Sequence, residues 1–405
     1  MPTPDHLHLA VALDGAGWHP AAWREPRARP DELLTARYWA DLVALAESGL
    51  LDFVTLEDAL ALQSTDANAP DDRTDLVRGR LDAVLVASRV APLTRHIGLV
   101  PTVTVTHTEP FHISKAVATL DHISGGRGGW RAQIARPLEA PHFGRREIAP
   151  FPAPGPGGRL APPEEYERAA ADAFGETEDF VEAVRRLWDS WEDDAEIRDA
   201  ATERFVDRDR LHYVDFAGRW FSVRGPSIVP RPPQGQPLVT VLAHAAAPRR
   251  LGARSADVVY VTPRDGEDAR AAVADVRAEQ EAAGRGGETV HVFGDLDVTL
   301  AATAAEAEDR RAALDARAGG APASDAQVFT GTAVELADLL LALRDGGLTG
   351  FRLRPAVLPD DLAAITGALV PELQRRGVFR TAYEADTLRG LLGLGRPANR
   401  YAAAR

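Results

Sequence analysis

The side chains able to do chemistry in this chain are spread along it, and each type suggests a limited role. His19 stands in the run GWHPAAWR just after the first β-rich stretch. An imidazole there can hydrogen-bond a reacting group or relay a proton near neutral pH. Asp58 follows FVTLE, which puts its carboxylate at the C-terminal end of a strand; its structural alternative is to cap the Ala59–Leu62 turn. Thr102, Thr104 and Thr106 alternate in PTVTVT, so three hydroxyls share one face of a strand. Arg131 is a lone cation in the run GWRAQI. There is no HExxH, no DxDxDG, no GxSxG and no cysteine, which leaves zinc-protease, EF-hand, nucleophile-elbow and thiolate chemistry without a basis.

These residues sit on a repeating pattern of short β-rich runs and amphipathic helices. Strands are expected at Leu7–Leu13, Phe53–Glu57, Ile97–Val105, Gly128–Ile134, Leu238–Ala243, Val258–Thr262, Val290–Leu300 (kinked at Gly294) and Gly350–Arg354. Helices are expected at Arg37–Ser48, Leu81–Ser88, His112–His122, Thr177–Trp191, Arg249–Ala256, Glu267–Ala283 and Ala333–Asp345. Eight strands alternating with helices predict a (β/α)8 TIM barrel over residues 1–405 as one domain. A doubly wound sheet competes, but its glycine fingerprint is incomplete here, because DGAGWH lacks the third glycine. Long insertions are expected after strands four and five, at about 136–176 and 192–236, the second with a hairpin turning at Ala217-Gly218. The tail 371–405 forms a C-terminal extension that should pack back on the barrel.

Composition narrows the partners. A net charge of −14 argues against nucleic acid, whose phosphates need a basic surface. No apolar stretch is long enough to span a membrane, and no basic segment precedes the first apolar run, so a cytoplasmic protein is expected.

Several blocks carry a resemblance. GWHPAAWR (Gly17–Arg24), AESGLLDFVTLEDA (Ala46–Ala59), LDHISGGRGGW (Leu120–Trp130) and PELQRRGVF (Pro371–Phe379) resemble, in order, the luciferase-like flavin monooxygenases. The similar branch oxidises nitrilotriacetate, dibenzothiophene sulfone and long alkanes. The resemblance implies a (β/α)8 barrel that takes reduced FMN from a separate flavin reductase, forms a flavin C4a-peroxide with O2 and oxygenates a small organic substrate. It further implies cofactor contacts at Asp58, Thr102, Thr104 and Tyr166, the last at the start of a phosphate-cradling helix, and a catalytic role for His19. Trp18, with Trp130, Trp220 and Phe111, would shape the substrate pocket. A homodimer or tetramer is also implied. Arg127 reads as an ion-pair residue on the opposite face.

Three departures fall where the family binds flavin. After Trp130 the family has Asn and then a Thr-Ser pair, whereas this chain has Arg131-Ala132-Gln133-Ile134-Ala135. Pro162 stands where a histidine is usual, four residues before Tyr166. An Ala-Gly-x-Ser turn is replaced by Ala243-His244-Ala245-Ala246-Ala247-Pro248. Each lost bond to a charged phosphate removes on the order of 1.5–3 kcal/mol. Two such losses weaken binding by roughly two to four powers of ten. His244, Arg249 or Arg250 could compensate at the phosphate, and Arg131 could meet an anionic substrate. Two alternatives therefore stay open: a same-fold oxidoreductase using a deazaflavin or no FMN, and a flavin-free partner or binding paralogue.

Overall fold

The computed structural model describes residues 6–64, 69–143 and 163–402. Its strands are β1 (His8–Leu13), β2 (Phe53–Leu56), β3 (Gly98–Thr104), β4 (Gly129–Gln133), β5 (Glu196–Asp199), β6 (Arg204–Val206), β7 (Phe216–Ala217), β8 (Ser222–Val223), β9 (Leu238–Leu242), β10 (Val258–Val261), β11 (His291–Leu300), β12 (Gln327–Gly331) and β13 (Gly350–Pro355). Its helices are α1 (Ala36–Ser48), α2 (Ala83–Val90), α3 (Pro110–Ser124), α4 (Pro163–Asp189), α5 (Ala246–Ser255), α6 (Gly266–Ala282), α7 (Ala304–Ala318), α8 (Ala333–Arg344), α9 (Asp360–Ala364), α10 (Val370–Arg375) and α11 (Leu388–Leu391).

The sheet closes. Parallel pairing runs β1–β2–β3–β4–β9–β10–β11–β13 and returns to β1, giving an eight-stranded barrel. These are the eight strands expected from the sequence. Runs such as FVTL, LVTVL and VVYV are β-branched and buried, as strands covered on both faces require. β12, which the pattern did not reveal, adds to the C-terminal half of β11 beyond the stretch that pairs with β10. β11 runs unbroken through Gly294, so the expected kink does not interrupt it. A Cβ there would press on the Phe351 ring at 3.0 Å, so glycine lets that ring pack close to the strand.

Helix ends follow local chemistry. Thr303 and Thr332 form capping boxes with Glu306 and Glu335, and Gly125 ends α3 in the left-handed region at φ 69°. α4 starts at Pro163, well before the expected Thr177, because its first turns are too polar to show an apolar period. Both long insertions lie in the one crossover between the fourth and fifth ring strands, since α4 and β5 to β8 all precede β9. The hairpin of β7 and β8 is closed by Gly218–Phe221 rather than by Ala217-Gly218.

The tail seals the N-terminal end of the barrel. Leu388, Leu392 and Leu394 join Phe53, Val100, Leu238, Val258 and Phe293 in one apolar cluster. A Cβ on Gly98 would lie 2.5 Å from Leu388 Cδ1, so glycine makes room for this plug. At the same end Arg127 is buried, but not as an ion pair. Its guanidinium donates to the carbonyls of Ala91, Thr94, Ile97 and Ser124 and to the Thr94 hydroxyl. No described helix is long and apolar enough to cross a membrane.

Candidate active site at the barrel mouth

The opposite end of the barrel, at the C-terminal ends of the strands, gathers charge. Alternation along β3, β4, β11 and β13 turns Thr102, Arg131, Asp295, Arg352 and Arg354 toward one another, and Glu57 joins them just beyond β2. Arg131 pairs with Glu57 through Nη2 and donates from Nε to Thr102 Oγ1 at 3.0 Å. Arg352 donates to Asp295 through Nε (2.8 Å) and Nη2 (2.5 Å), while its Nη1 lies 3.4 Å from both Thr55 Oγ1 and Glu57 Oε1. Arg354 donates to Asp295 Oδ2 and to Asp325 Oδ1, each at 2.6 Å. Two guanidiniums also lie over rings, Arg352 above Tyr260 at 4.2 Å and Arg354 above Trp18 at 4.6 Å.

Arg131 and Arg352 are 1% exposed and Asp295 is fully buried. An unpaired charge at such depth costs several kcal/mol, so the lattice is tolerable only because each member has a partner. Burial opposes ionisation of Asp295, but Arg352 and Arg354 hold its carboxyl well below the usual range. Asp297, one alternation nearer the rim, behaves oppositely. Burial raises its pKa, and its Oδ1 is buried without a hydrogen-bond partner.

The residues singled out in the sequence divide as follows. Thr102 and Thr104 are buried at the mouth, with Thr104 Oγ1 3.5 Å from Gln133 Nε2. Thr106 accepts from the Ala135 amide instead. Asp58 accepts from the amides of Ala59 (2.7 Å) and Ala83 (2.9 Å), tying the loop after β2 to the start of α2, and burial raises its pKa. Arg131 faces Glu57 and presents no free cation to a substrate. His19 has both ring nitrogens engaged: Nε2 is 3.0 Å from Asp315 Oδ1, and Nδ1 accepts from the Ala21 amide. Burial lowers its pKa and favours the neutral ring. Trp18 donates to the Ala12 carbonyl. Tyr166 lies in the first turn of α4, but its side chain, like Pro162, is outside the described residues. Arg249 and Arg250 bind Asp275 and Glu279 of α6.

Trp18 and His19 line two cavities at the mouth. One, of about 210 Å³, is bounded by Asp14–Pro20, Gln63 and Val77; the other, of about 180 Å³, by Asp297, Ser324, Asp325 and Arg354. Trp130 packs outward against Phe180, and Trp220 lines a groove beside α4, so neither shapes the mouth. Glu57, Asp295, Asp297, Arg352, Arg354 and Asp325 were not identified from the sequence. A signal existed for four of them. DLD in β11 and RLR in β13 place charges two apart inside otherwise apolar strands, which puts charge on one buried face. Among the described residues no group of acidic or histidine side chains is placed to hold a metal ion.

A closed parallel barrel with its polar side chains converging at the C-terminal strand ends is the architecture of an α/β-barrel enzyme. Comparison with known proteins makes this specific. Residues 17–350 match the family described as luciferase-like monooxygenase. The chain is 30% identical to nitrilotriacetate monooxygenase component A of Aminobacter aminovorans over 97% of both chains. It is 31% identical to N-acetyl-S-(2-succino)cysteine monooxygenase of Bacillus subtilis over 98% of both. A solved long-chain alkane monooxygenase superposes with TM-score 0.82 at 23% identity, covering 97% of this chain and 96% of that one. The chain belongs to the luciferase-like monooxygenase family, whose members are oxidoreductases.

Proposed function

We propose that this chain is the oxygenase component of a two-component monooxygenase, which takes reduced FMN from a separate reductase and oxygenates a small organic substrate at the barrel mouth. The carrying observation is the polar edge made by Arg131, Thr102 and Thr104 on adjacent strands. Thr102 Oγ1 accepts from Arg131 Nε and so keeps its own proton to donate. Donors of this kind beside a guanidinium suit the carbonyl-bearing edge of a reduced, anionic flavin, so the residues fit the ring. At the phosphate end His244 and the first amides of α5 would stand in place of hydroxyls. Bound there, reduced FMN would supply the two electrons that let one atom of O2 enter the substrate while the other leaves as water.

The chain's own residues would do the rest. Thr102 and Thr104 orient the ring edge, and Arg131, paired with Glu57, fixes the Thr102 hydroxyl. The paired floor of Glu57, Arg352 and Asp295 holds fixed dipoles beneath it and needs no water for solvation. Trp18 walls the substrate side. Asp297, with its raised pKa, keeps a proton at Oδ1 or Oδ2 to higher pH than an ordinary carboxyl. His19 holds the loop after β1 and keeps its ring neutral. Asp58 and Tyr166 are assigned to the same cofactor, and the assembly is proposed as a cytoplasmic homodimer or tetramer of single-domain subunits.

Rapid mixing of the protein and reduced FMN with O2, across a panel of small carboxylated, sulfur-containing and alkane substrates, tests this reading. Substrate-dependent incorporation of 18O from labelled O2 supports it; uncoupled flavin oxidation at the protein-free rate with every substrate rejects it. A second reading is favoured by one observation: the mouth's charges satisfy one another without a ligand. That arrangement suits a flavin-free paralogue that keeps the barrel as a partner subunit. A deazaflavin would use the same donors and is separated from FMN by competition binding.

A further inference from the structure

Two cations at the mouth share one surface carboxylate. His244 Nδ1 lies 2.7 Å from Asp325 Oδ2, and Arg354 Nη1 donates to Asp325 Oδ1 at 2.6 Å. The two oxygens of Asp325 thus bridge the ends of β9 and β13. Asp325 is not part of the barrel: it stands in the irregular segment between α7 and β12, after Gly319 and Gly320, and its side chain is 55% exposed. Its partners are deeper. Arg354 is 2% exposed and its Nε has no hydrogen-bond partner, while His244 Nε2 is also buried and sits 3.4 Å from Asp295 Oδ2. His244 directly precedes Ala245, the N-cap of α5, which offers no side chain to the helix's first amides.

The charges around this bridge are Arg131, Arg352, Arg354 and His244 against Glu57, Asp295 and Asp325, with Asp297 at the rim. Burial works against a charge on His244, but its bonds to Asp295 and Asp325 raise its pKa. Burial works against Asp325 too, and His244 and Arg354 more than offset it. Take Asp325 away and Arg354 keeps a hydrogen bond only to the Asp295 oxygen that it shares with Arg352, while His244 loses its shorter carboxylate contact. A second anion entering there would meet donors already in place. The geometry already present is that of two oxygens of one anion, set between an imidazole and a guanidinium, with the uncapped start of α5 following His244 along the chain.

We propose that Asp325 is an internal stand-in for a phosphate. It occupies a seat formed by His244, Arg354 and the first amides of α5, and yields that seat when the phosphomonoester of a bound ligand enters. In the setting of the proposed function the phosphomonoester is the tail of FMN, so this identification rests on that reading; the seat itself is a property of the chain. Because the carboxylate competes for the seat, ligand affinity is reduced by the fraction of molecules in which Asp325 is bound.

Calorimetric titration of inorganic phosphate, FMN and riboflavin into the wild type, Asp325→Asn and His244→Gln tests the proposal. Asp325 is exposed, and unchanged thermal unfolding of Asp325→Asn confirms that its fold is intact. The expected result is phosphate and FMN affinity at least about tenfold higher in Asp325→Asn and lower in His244→Gln, with riboflavin changed by less than about twofold. Tighter phosphate binding in Asp325→Asn with neither flavin bound by any protein upholds the seat and removes FMN as its ligand. Flavin binding that is equal in the wild type and Asp325→Asn, with phosphate unaffected, overturns the seat and leaves the flavin reading standing. Equal tightening of riboflavin and FMN overturns it as well.

Discussion

Asp295 and Arg352 meet at the centre of the barrel in a two-bond pair, Nε to Oδ1 at 2.8 Å and Nη2 to Oδ2 at 2.5 Å. Both are buried, and they sit on adjacent strands of the ring, β11 and β13. The pair fixes the floor on which any mouth chemistry must take place.

Removing one member strands the other. Arg352→Met leaves Asp295 with less than its full complement of cations and should lower stability by about 3–5 kcal/mol in urea unfolding. Arg352→Met combined with Asp295→Leu should recover much of that loss, because no buried charge is then left unpaired. A double variant as unstable as the sum of its parts would show that the pair does not act as a unit.

The tail plug gives a steric prediction. Gly98→Ala places a methyl against Leu388 and should cost about 1–3 kcal/mol. Leu388→Ala in the same chain should relieve part of that cost and leave the part owed to Phe53 Cβ at 2.9 Å, a coupling read from a double-mutant cycle of unfolding midpoints.

His291 gives the acid limb. Its Nε2 donates to the Leu392 carbonyl and its Nδ1 contacts Thr349 Oγ1. Burial first, and then the nearby His8, bring its pKa down from 6.5 to about 4. The fold thus favours the neutral ring, so protons go preferentially to the unfolded chain. Stability is complete above pH 6.5 and is lost as the pH falls toward 4, by on the order of 3 kcal/mol. Urea unfolding from pH 7 to pH 4 should fall more steeply for the wild type than for His291→Gln, and parallel curves would remove this residue as the cause.

These residues also show what the sequence disclosed. The eight ring strands were legible because each is a short β-branched run bounded by turn signals, and the capped helices because their polar ends are local. The lattice was not legible as a lattice. Arg131 stood out as a lone cation, but Glu57 is 74 residues away and reaches it only when β2, β3 and β4 close side by side. Asp325 is harder still, since it reaches the mouth from the segment before β12, a strand the pattern did not show. His19 reads in the sequence as an imidazole able to hydrogen-bond a reacting group or relay a proton, but the fold engages Nε2 with Asp315 on α7, a helix the pattern does not show, and Nδ1 with the Ala21 amide.

Asp58 has a measurable structural share. Asp58→Ala removes the acceptor for the Ala59 and Ala83 amides and should cost about 1–3 kcal/mol in thermal or urea unfolding. Asp58→Asn keeps one acceptor and should lose less. If flavin affinity falls in Asp58→Asn while stability holds, the carboxylate also touches cofactor; if stability alone falls, it serves only to fasten the loop.

The central claim is that the edge formed by Thr102, Thr104 and Arg131 receives a reduced flavin. Anaerobic titration of reduced FMN into the wild type and Thr102→Val measures it most directly. The account predicts saturable one-to-one binding to the wild type and affinity about three- to tenfold weaker in Thr102→Val, the loss of one neutral hydrogen bond. No binding by the wild type at millimolar flavin, or the same affinity in both proteins, would contradict it.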